Sequence, residues 1–407
     1  MALVLLIGAG LMINSYARLT DVDMGFKTDH LLTMEINLSG LKRYRTRHNA
    51  EYFSVTPRAA EFFGQVLDRL KALPGVRAVG MTTALPPTQW ISPPFRIVGK
   101  PGAFGDNGQT AQYDEVDEDY FKTMGIRLLR GRTFTAADGQ KAAAVVIINQ
   151  TLARQFFSST DPLGQVVQVR LNQQNKALAD DRPREIVGIV ADTRIRPQDD
   201  PTPTMYIPYQ QHLWDYAGSG LFLIHARKEF AIQTGFAEPM GLANAVRKAV
   251  ANVDPSVAVE NMMPMRQRLR RSESATNERF WLRLLALFAG LAVFLATVGI
   301  YAVIAYGVEQ RAHEFGIRTA LGAVPGDIIR LVVREGLIVT VIGLVVGVGA
   351  AFGLTRLIAN QLYGVTPMDP LTIATVALLL TAVAMLACVI PCWRAAKMDP
   401  LRALRIE

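Results

Sequence analysis

Few side chains in this 407-residue chain are spaced so that they could perform chemistry. The densest set is acidic: Asp114, Glu115, Asp117, Glu118 and Asp119 fall within six positions. Such carboxylates can serve acid–base catalysis or ligate calcium. Their place just before Tyr120 and Phe121 reads instead as a solvated loop. The five histidines (His30, His48, His212, His225, His313) are scattered, so no helical metal pair is available. No G-x-x-x-x-G-K-[ST], G-x-S-x-G or H-E-x-x-H occurs, and the chain by itself cannot hold ATP in a P-loop. It is therefore expected to be no enzyme and to take no cofactor. Cys388 and Cys392 stand four apart on one face of an apolar helix and read as small packing residues.

A second set is mixed in charge: Glu309, Arg311, His313, Glu314 and Arg318, with Gly316, Ile317, Ala320, Leu321 and Gly322 among them. A cytoplasmic loop whose charges only hold topology would look like this. So would a short helix lying across a membrane surface, ended by Gly322 to Gly326, with Asp327 at the cap of the next helix. A peripheral protein could dock on such a helix.

The elements that must position these residues are read from hydropathy. Half of the residues are hydrophobic and 19% charged, with a mean hydropathy of +0.20, too apolar for an ordinary soluble protein. Three uncharged runs, 284–308, 336–355 and 371–393, are each long enough to cross a bilayer as a helix, for which roughly 20 residues suffice. Residues 1–17 give a fourth, shorter helix, either a complete short span or the second half of a longer one. The Gly and Ala residues at 343–353 suit close helix packing. The net charge of +8 suits an anionic membrane surface as well as nucleic acid and identifies neither.

Short segments decide orientation. Arg311, Arg318, Arg330, Arg334, Arg394, Lys397, Arg402 and Arg405 place the loop after the second span and the C-terminal tail in the cytoplasm, against Arg356 on the other side. Arg266, Arg268, Arg270, Arg271, Arg279 and Arg283 oppose this, but they close a long segment, and long segments translocate largely regardless of charge. Residues 18–279 are thus expected outside.

Within them, 31–38 alternates as a half-buried strand. Thr56 and Pro57 open a helix with the stripe Phe63, Val66, Leu67, Leu70, followed by a strand at 76–83. The pattern recurs after Pro239, with Leu242, Ala245, Val246, Ala249, Val250 and Val253 ahead of a strand at 257–260, and a strand at 221–225 in front. Two such units predict a split βαβ porter-like part. The residues between them form an inserted strand-rich subdomain, with strands at 144–148, 165–171 and 186–191 and a helix at 152–157. Segments 43–51 and 172–184 read as loops. The fold class is an α-helical membrane protein with a large α+β extracytoplasmic domain.

The stretch Arg311, Glu314, Gly316, Ile317, Arg318, Ala320, Leu321, Gly322, Ala323, with Pro391, Arg394, Ala395, Asp399, Pro400, Ala403 and Leu404, resembles the MacB/FtsX-type permeases of ABC transporters. The middle segment resembles the MacB-like periplasmic core domain at Tyr120-Phe121, Met124-Gly125-Ile126, Gly131-Arg132, Ile148-Asn149, Asp161-Pro162-Leu163-Gly164 and 186–190. The resemblance implies a helix (1–17), an outer domain (18–279) and an FtsX-like permease domain with three helices (280–407). It makes Arg311, Glu314, Gly316, Ile317, Arg318, Ala320, Leu321 and Gly322 the ATPase-coupling loop. It further implies a separate ABC ATPase, the bilayer of the bacterial plasma (inner) membrane crossed several times, a homodimer or second permease unit, a periplasmic adaptor, and mechanotransmission in export or envelope remodelling. No nucleic acid is expected. Segment 3–16 also resembles the middle helix of duplicated permeases, so the chain reads as the second unit of such a pair or as a shortened reading frame. A membrane-anchored extracytoplasmic ligand-binding or sensor module is the alternative function.

Overall fold

The computed structural model describes residues 2–20, 22–47, 53–89, 91–105, 109–170, 182–211, 226–271, 273–311, 314, 317, 325–355 and 369–396. They form two compact units, one from Asp23–Ala275 and one from Met1–Val22 with Thr276–Glu407.

Helix α1 (Ala2–Thr20) opens the second unit; the first begins at strand β1 (Leu31–Asn37). A 3-10 turn (Lys42–Tyr44) and β2 (Arg45–Arg47) occupy ground that the sequence marks as loop, and β2 pairs with β3 (Phe53–Val55) just beyond it. Helix α2 (Pro57–Lys71) starts at its proline as expected, but the Thr56 hydroxyl donates to Arg43 O (3.2 Å) and does not cap the helix. Its buried side chains are Ala59, Phe62, Phe63, Val66, Leu67 and Leu70. Each large one contributes about 1.5–3 kcal/mol by leaving water. Strand β4 (Val76–Thr82) follows.

The closing elements are β12 (Arg227–Thr234), α5 (Ala243–Ala251), β13 (Val259–Pro264) and α6 (Met265–Arg271). The expected strand at 221–225 lies outside the described residues, and the strand that does precede α5 is β12. The four strands run β13-β1-β12-β4, every neighbour antiparallel, which is a split βαβ sheet. In this register Leu32, near the start of β1, stands opposite Pro264 at the end of β13.

One face of this sheet carries α2 and α5, with Met34, Val79, Phe230, Phe63 and Val246 in a single core. The other carries α3 (Tyr120–Met124) and α6, with Leu31, Ala231, Tyr120 and Met265. Because both faces are covered, β1 is not the half-buried strand its alternation predicts: Thr33 and Glu35 are buried too. Thr33 Oγ1 donates to Met263 O (2.8 Å), and Glu35 is held by Arg227 and Asn261.

The insertion is built from β5 (Phe95–Ile97), β6 (Gln112–Val116), β7 (Leu128–Gly131), β8 (Val145–Asn149), α4 (Gln150–Phe156), β9 (Val166–Val169), β10 (Arg184–Val190) and β11 (Thr204–Pro208). Its strands continue the same sheet past β4 in the order β6-β11-β8-β10-β9-β5, with β7 paired to β10. Eleven strands thus share one sheet among the described residues. A separate apolar core, including Phe95, Ile148, Leu152, Val167 and Ile186, fills the insertion.

The second unit contains α1, α7 (Glu273–Gln310), α8 (Pro325–Thr355) and α9 (Pro370–Ala396). Three stretches are long and apolar enough to cross a membrane: Arg283–Gln310, Arg330–Gly353 and Pro370–Val389. The apolar part of α1, Leu3–Asn14, is shorter. Leu3, Ile7 and Leu11 of α1 pack with Ala351 of α8 and Val376 of α9. Small residues set these approaches, since a Cβ on Gly10 would lie 2.8 Å from Thr372 and one on Gly336 2.8 Å from Cys388 Sγ. Cys388 is buried beside Ile304, Val308 and Val332, the packing role its sequence suggests. Asp369 opens α9 by accepting from Thr372 N (3.2 Å) and Thr372 Oγ1 (2.6 Å), and it also accepts from Asn14 Nδ2 (3.2 Å). Helix α8 already begins at Pro325, so Asp327 lies in its first turn and not at its cap.

Candidate functional site

Of the residues that the sequence marks for coupling, Arg311 follows the end of α7, and Glu314 and Ile317 are helical. All three are exposed, Ile317 to 41%. Gly316, Arg318, Ala320, Leu321 and Gly322 lie outside the described residues. The arrangement presents two charges and a branched aliphatic side chain between α7 and α8, a combination suited to a protein surface and to no covalent chemistry.

The acidic run is not the solvated loop its composition predicts. Gln112 to Val116 form β6, and Asp114, Glu115 and Asp117 are buried. They are buried because β6 sits where the split βαβ sheet meets the insertion, and its neighbours supply partners that the sequence does not advertise. Lys228 Nζ on β12 lies 2.6 Å from Glu115 Oε2, with both side chains at most 1% exposed. Asp117 Oδ1 accepts from Met81 N (2.7 Å). Gln112 Nε2 donates to one oxygen of Asp114 (3.0 Å), while its other oxygen has no hydrogen-bond partner.

Next to them, Glu229 on β12 accepts from Arg268 Nη2 (2.6 Å), Leu85 N (2.6 Å) and Arg227 Nη2 (3.0 Å). Arg227 also pairs with Glu35, at 2.5 Å from Nε to Oε1. Asn261, at a φ of 48°, donates to the same carboxylate (2.8 Å), where the β1–β13 register slips. Arg268 on α6 reaches Pro86 O (3.2 Å) and Thr88 Oγ1 (3.2 Å) as well. These charges lock strands and α6 together. They form no nucleophile–base pair, and the Lys228–Glu115 and Arg227–Glu35 pairs were illegible in sequence because the partners lie more than a hundred residues apart.

A cleft of about 200 Å³ flanks this meeting line. Leu67, Asp68 and Lys71 of α2 form one wall, and Phe134, Ala136 and Tyr209 of the insertion the other.

Burial, the largest influence, pushes Asp114 and Asp117 up to about 7. A carboxyl raised in the folded state adds stability below its unfolded value near 4, and that contribution fades as pH rises through about 7. Asp138 is the opposite case: a hydrogen bond from Arg132 holds it below the ordinary carboxylate range, so its contribution is lost only in acid. The stability of the α+β domain is therefore expected to rise by about 2 kcal/mol or more from pH 8 to 5 and to fall below about pH 4. Thermal unfolding of the solubilised chain, followed by amide exchange on β6 and β12, measures this; a flat profile from pH 8 to 5 would contradict it.

Of the α+β-domain residues that carry the family likeness, Tyr120, Phe121, Met124, Ile148 and Ile186 fill the cores, and several others hold backbone geometry. Asn149 Oδ1 caps α4 by accepting from Leu152 N (3.0 Å) and also accepts from Thr204 N (3.0 Å). Asp161 Oδ1 accepts from Leu163 N (3.1 Å) in the turn before β9. Gly131 has a φ of 76° and stands opposite Gly188, where β7 and β10 touch backbone to backbone.

Comparison with known proteins agrees with this architecture. Residues 22–270 match the MacB-like periplasmic core domain and residues 286–400 the FtsX-like permease C-terminal domain. The uncharacterized ABC transporter permease YknZ of Bacillus subtilis is 24% identical over 299 residues, 73% of this chain and 70% of its own length. The macrolide export ATP-binding/permease protein MacB of Chromobacterium violaceum is 26% identical over 293 residues, 72% of this chain but 43% of the relative, so the chain spans less than half of that protein's length. The crystal structure of the periplasmic region of MacB from Actinobacillus actinomycetemcomitans is 16% identical, with a TM-score of 0.38, over 63% of this chain and 99% of that one. With two family models matched over most of its length, the chain belongs to the MacB/FtsX-type permeases of ABC transporters and is a membrane protein.

Proposed function

We propose that the chain is the permease subunit of an ABC transporter in which a separate ATPase drives motion of the α+β domain, in export or envelope remodelling, without cargo passing through the helices. In this reading α1 and the three apolar spans cross the bacterial inner membrane. The α+β domain is extracytoplasmic, and the segment after α7 and the C-terminal tail face the cytoplasm. Arg311, Glu314, Gly316, Ile317, Arg318, Ala320, Leu321 and Gly322 form the surface that meets the ATPase. The protein works as a homodimer or beside a second permease unit, and a periplasmic adaptor meets the outer domain.

The observation that carries the reading is the exposure of Arg311, Glu314 and Ile317 between two helices long enough to span, inside the FtsX-like match. Short segments rich in arginine favour the cytoplasmic side. If Arg318 meets a carboxylate of the ATPase, Arg318→Glu puts two like charges together at the interface, at a cost of about 2–5 kcal/mol. Arg318→Glu is expected to abolish copurification with the ATPase in mild detergent and to stop transport, at unchanged membrane insertion and protein level. A variant that inserts normally and still binds the ATPase like the parent would reduce the loop to a topological spacer.

A further inference from the structure

Strand pairing in the α+β domain is uneven in a way that marks a line of weakness. β1 and β12 pair over seven residue positions and β6 and β11 over five. Where the split βαβ sheet meets the insertion, β4 and β6 pair at a single position, Thr82 opposite Val116. Backbone contact there is limited to Thr83 N to Glu115 O (3.0 Å) and Asp117 N to Met81 O (3.1 Å). Side chains add to the joint, among them Asp117 Oδ1 with Met81 N (2.7 Å), Thr83 Oγ1 with Glu115 N (3.0 Å), and the Lys228–Glu115 pair (2.6 Å).

Packing across this line is uneven between the two faces. On the face of α3 and α6, a single apolar cluster crosses it, joining Leu31 and Ala231 to Val145, Ile147 and Tyr206. On the face of α2, Tyr209 of the insertion packs into the core of Phe63 and Leu67, and Lys71 pairs with Asp119 (2.6 Å), while beside them the cleft separates Asp68 from Phe134 and Ala136. A joint with one ladder position, packed by a whole cluster on one face and only around Tyr209 on the other, can bend towards the cleft at small cost. Few backbone bonds need to change, and the cleft holds the space that the movement consumes.

We propose that the β4–β6 junction is a hinge about which the insertion turns against the split βαβ sheet, closing and opening the cleft, with Lys228–Glu115 as the contact that both positions keep. The Lys228 side chain suits that task, since a flexible four-carbon stem can follow a carboxylate that shifts by an ångström or two. The proposal stands on the geometry of this domain alone, so it survives or fails independently of the ATPase assignment.

The test measures the cleft directly in the full-length chain in lipid nanodiscs. Cys388 and Cys392 are first replaced with serine, and Asp68→Cys and Ala136→Cys, both exposed and on opposite walls, carry spin labels. Pulsed dipolar spectroscopy is expected to return two distances differing by several ångströms. A control pair within one half, Asp68→Cys with Arg247→Cys on α5, is expected to return one. Should labelling at 136 disturb the fold, Glu61→Cys with Ala137→Cys probes the same two elements. A single narrow distance across the cleft, as sharp as the control, would overturn the hinge; so would equal heterogeneity in the control pair, because the motion would then not be centred on the β4–β6 junction.

Discussion

Lys228→Met is expected to destabilise the α+β domain by about 3–5 kcal/mol, a large part of the 5–15 kcal/mol that holds a typical domain folded. The reason is asymmetry. Methionine fills nearly the same volume, so packing is little changed, but Glu115 keeps its charge in a place water does not reach. A buried carboxylate stripped of its partner loses the attraction that offset its desolvation. The deficit should shrink at pH 5, where the stranded carboxyl can take up a proton. The double variant Lys228→Met with Glu115→Leu should recover most of the loss, because exchanging a whole buried pair for apolar groups is often neutral. Chemical denaturation of the four members of this cycle gives the coupling directly. If Lys228→Met alone unfolds at the parent's midpoint, the pair is not the support of the sheet junction described above.

Gly188→Val should be equally severe for a steric reason. A Cβ on Gly188 would lie 2.2 Å from Arg132 O and 3.3 Å from Ile147 Cγ1, and the facing Gly131 leaves no slack, since its own Cβ would lie 2.2 Å from Val187 O. Both obstacles include backbone, which cannot rotate aside as a side chain can. Relief requires β7 to leave β10, losing the bond from Arg132 N to Val187 O (2.9 Å). Overpacking alone costs about 1–3 kcal/mol, and a forced strand separation adds to that. The expected result is little or no folded protein by protease resistance. Gly40→Ala, where nothing lies within 4 Å of the added carbon, should behave like the parent. A stable, protease-resistant Gly188→Val protein would mean that the two strands are not pressed together as they stand.

What the sequence allowed and what it concealed divide along physical lines. Helix α2 and its neighbour α5 were legible because an apolar stripe at helical spacing and a proline at the start are local signals. The three apolar spans were legible from length alone. The mistakes concern residues whose surroundings are built by distant chain. Thr33 and Glu35 read as the wet face of a strand, because nothing nearby tells that α3 and α6 cover it. The acids of β6 read as a loop, because Lys228 follows Glu115 by more than a hundred positions. The hairpin at β2 and β3 was missed because its strands are short and strongly polar. After α7, residue types suggested a docking surface, and of those residues Arg311, Glu314 and Ile317 are described and exposed.

The register of β1 against β13 bears on how such a chain can assemble at all. Leu32 and Pro264 are partners across a ladder, so the points where the chain enters and leaves the domain's sheet are about 5 Å apart. Joining two helices through a floppy segment of that length would carry a closure entropy that grows with the logarithm of the residue number. Once folded, the domain presents its ends side by side and acts in that respect like a tight connector. The helices on either side can then find one another almost as freely as if a short hairpin linked them. By the same reasoning, replacing residues 32–264 with a few glycines and serines should leave α1 able to pack against α8 and α9, which makes the large domain a separable module.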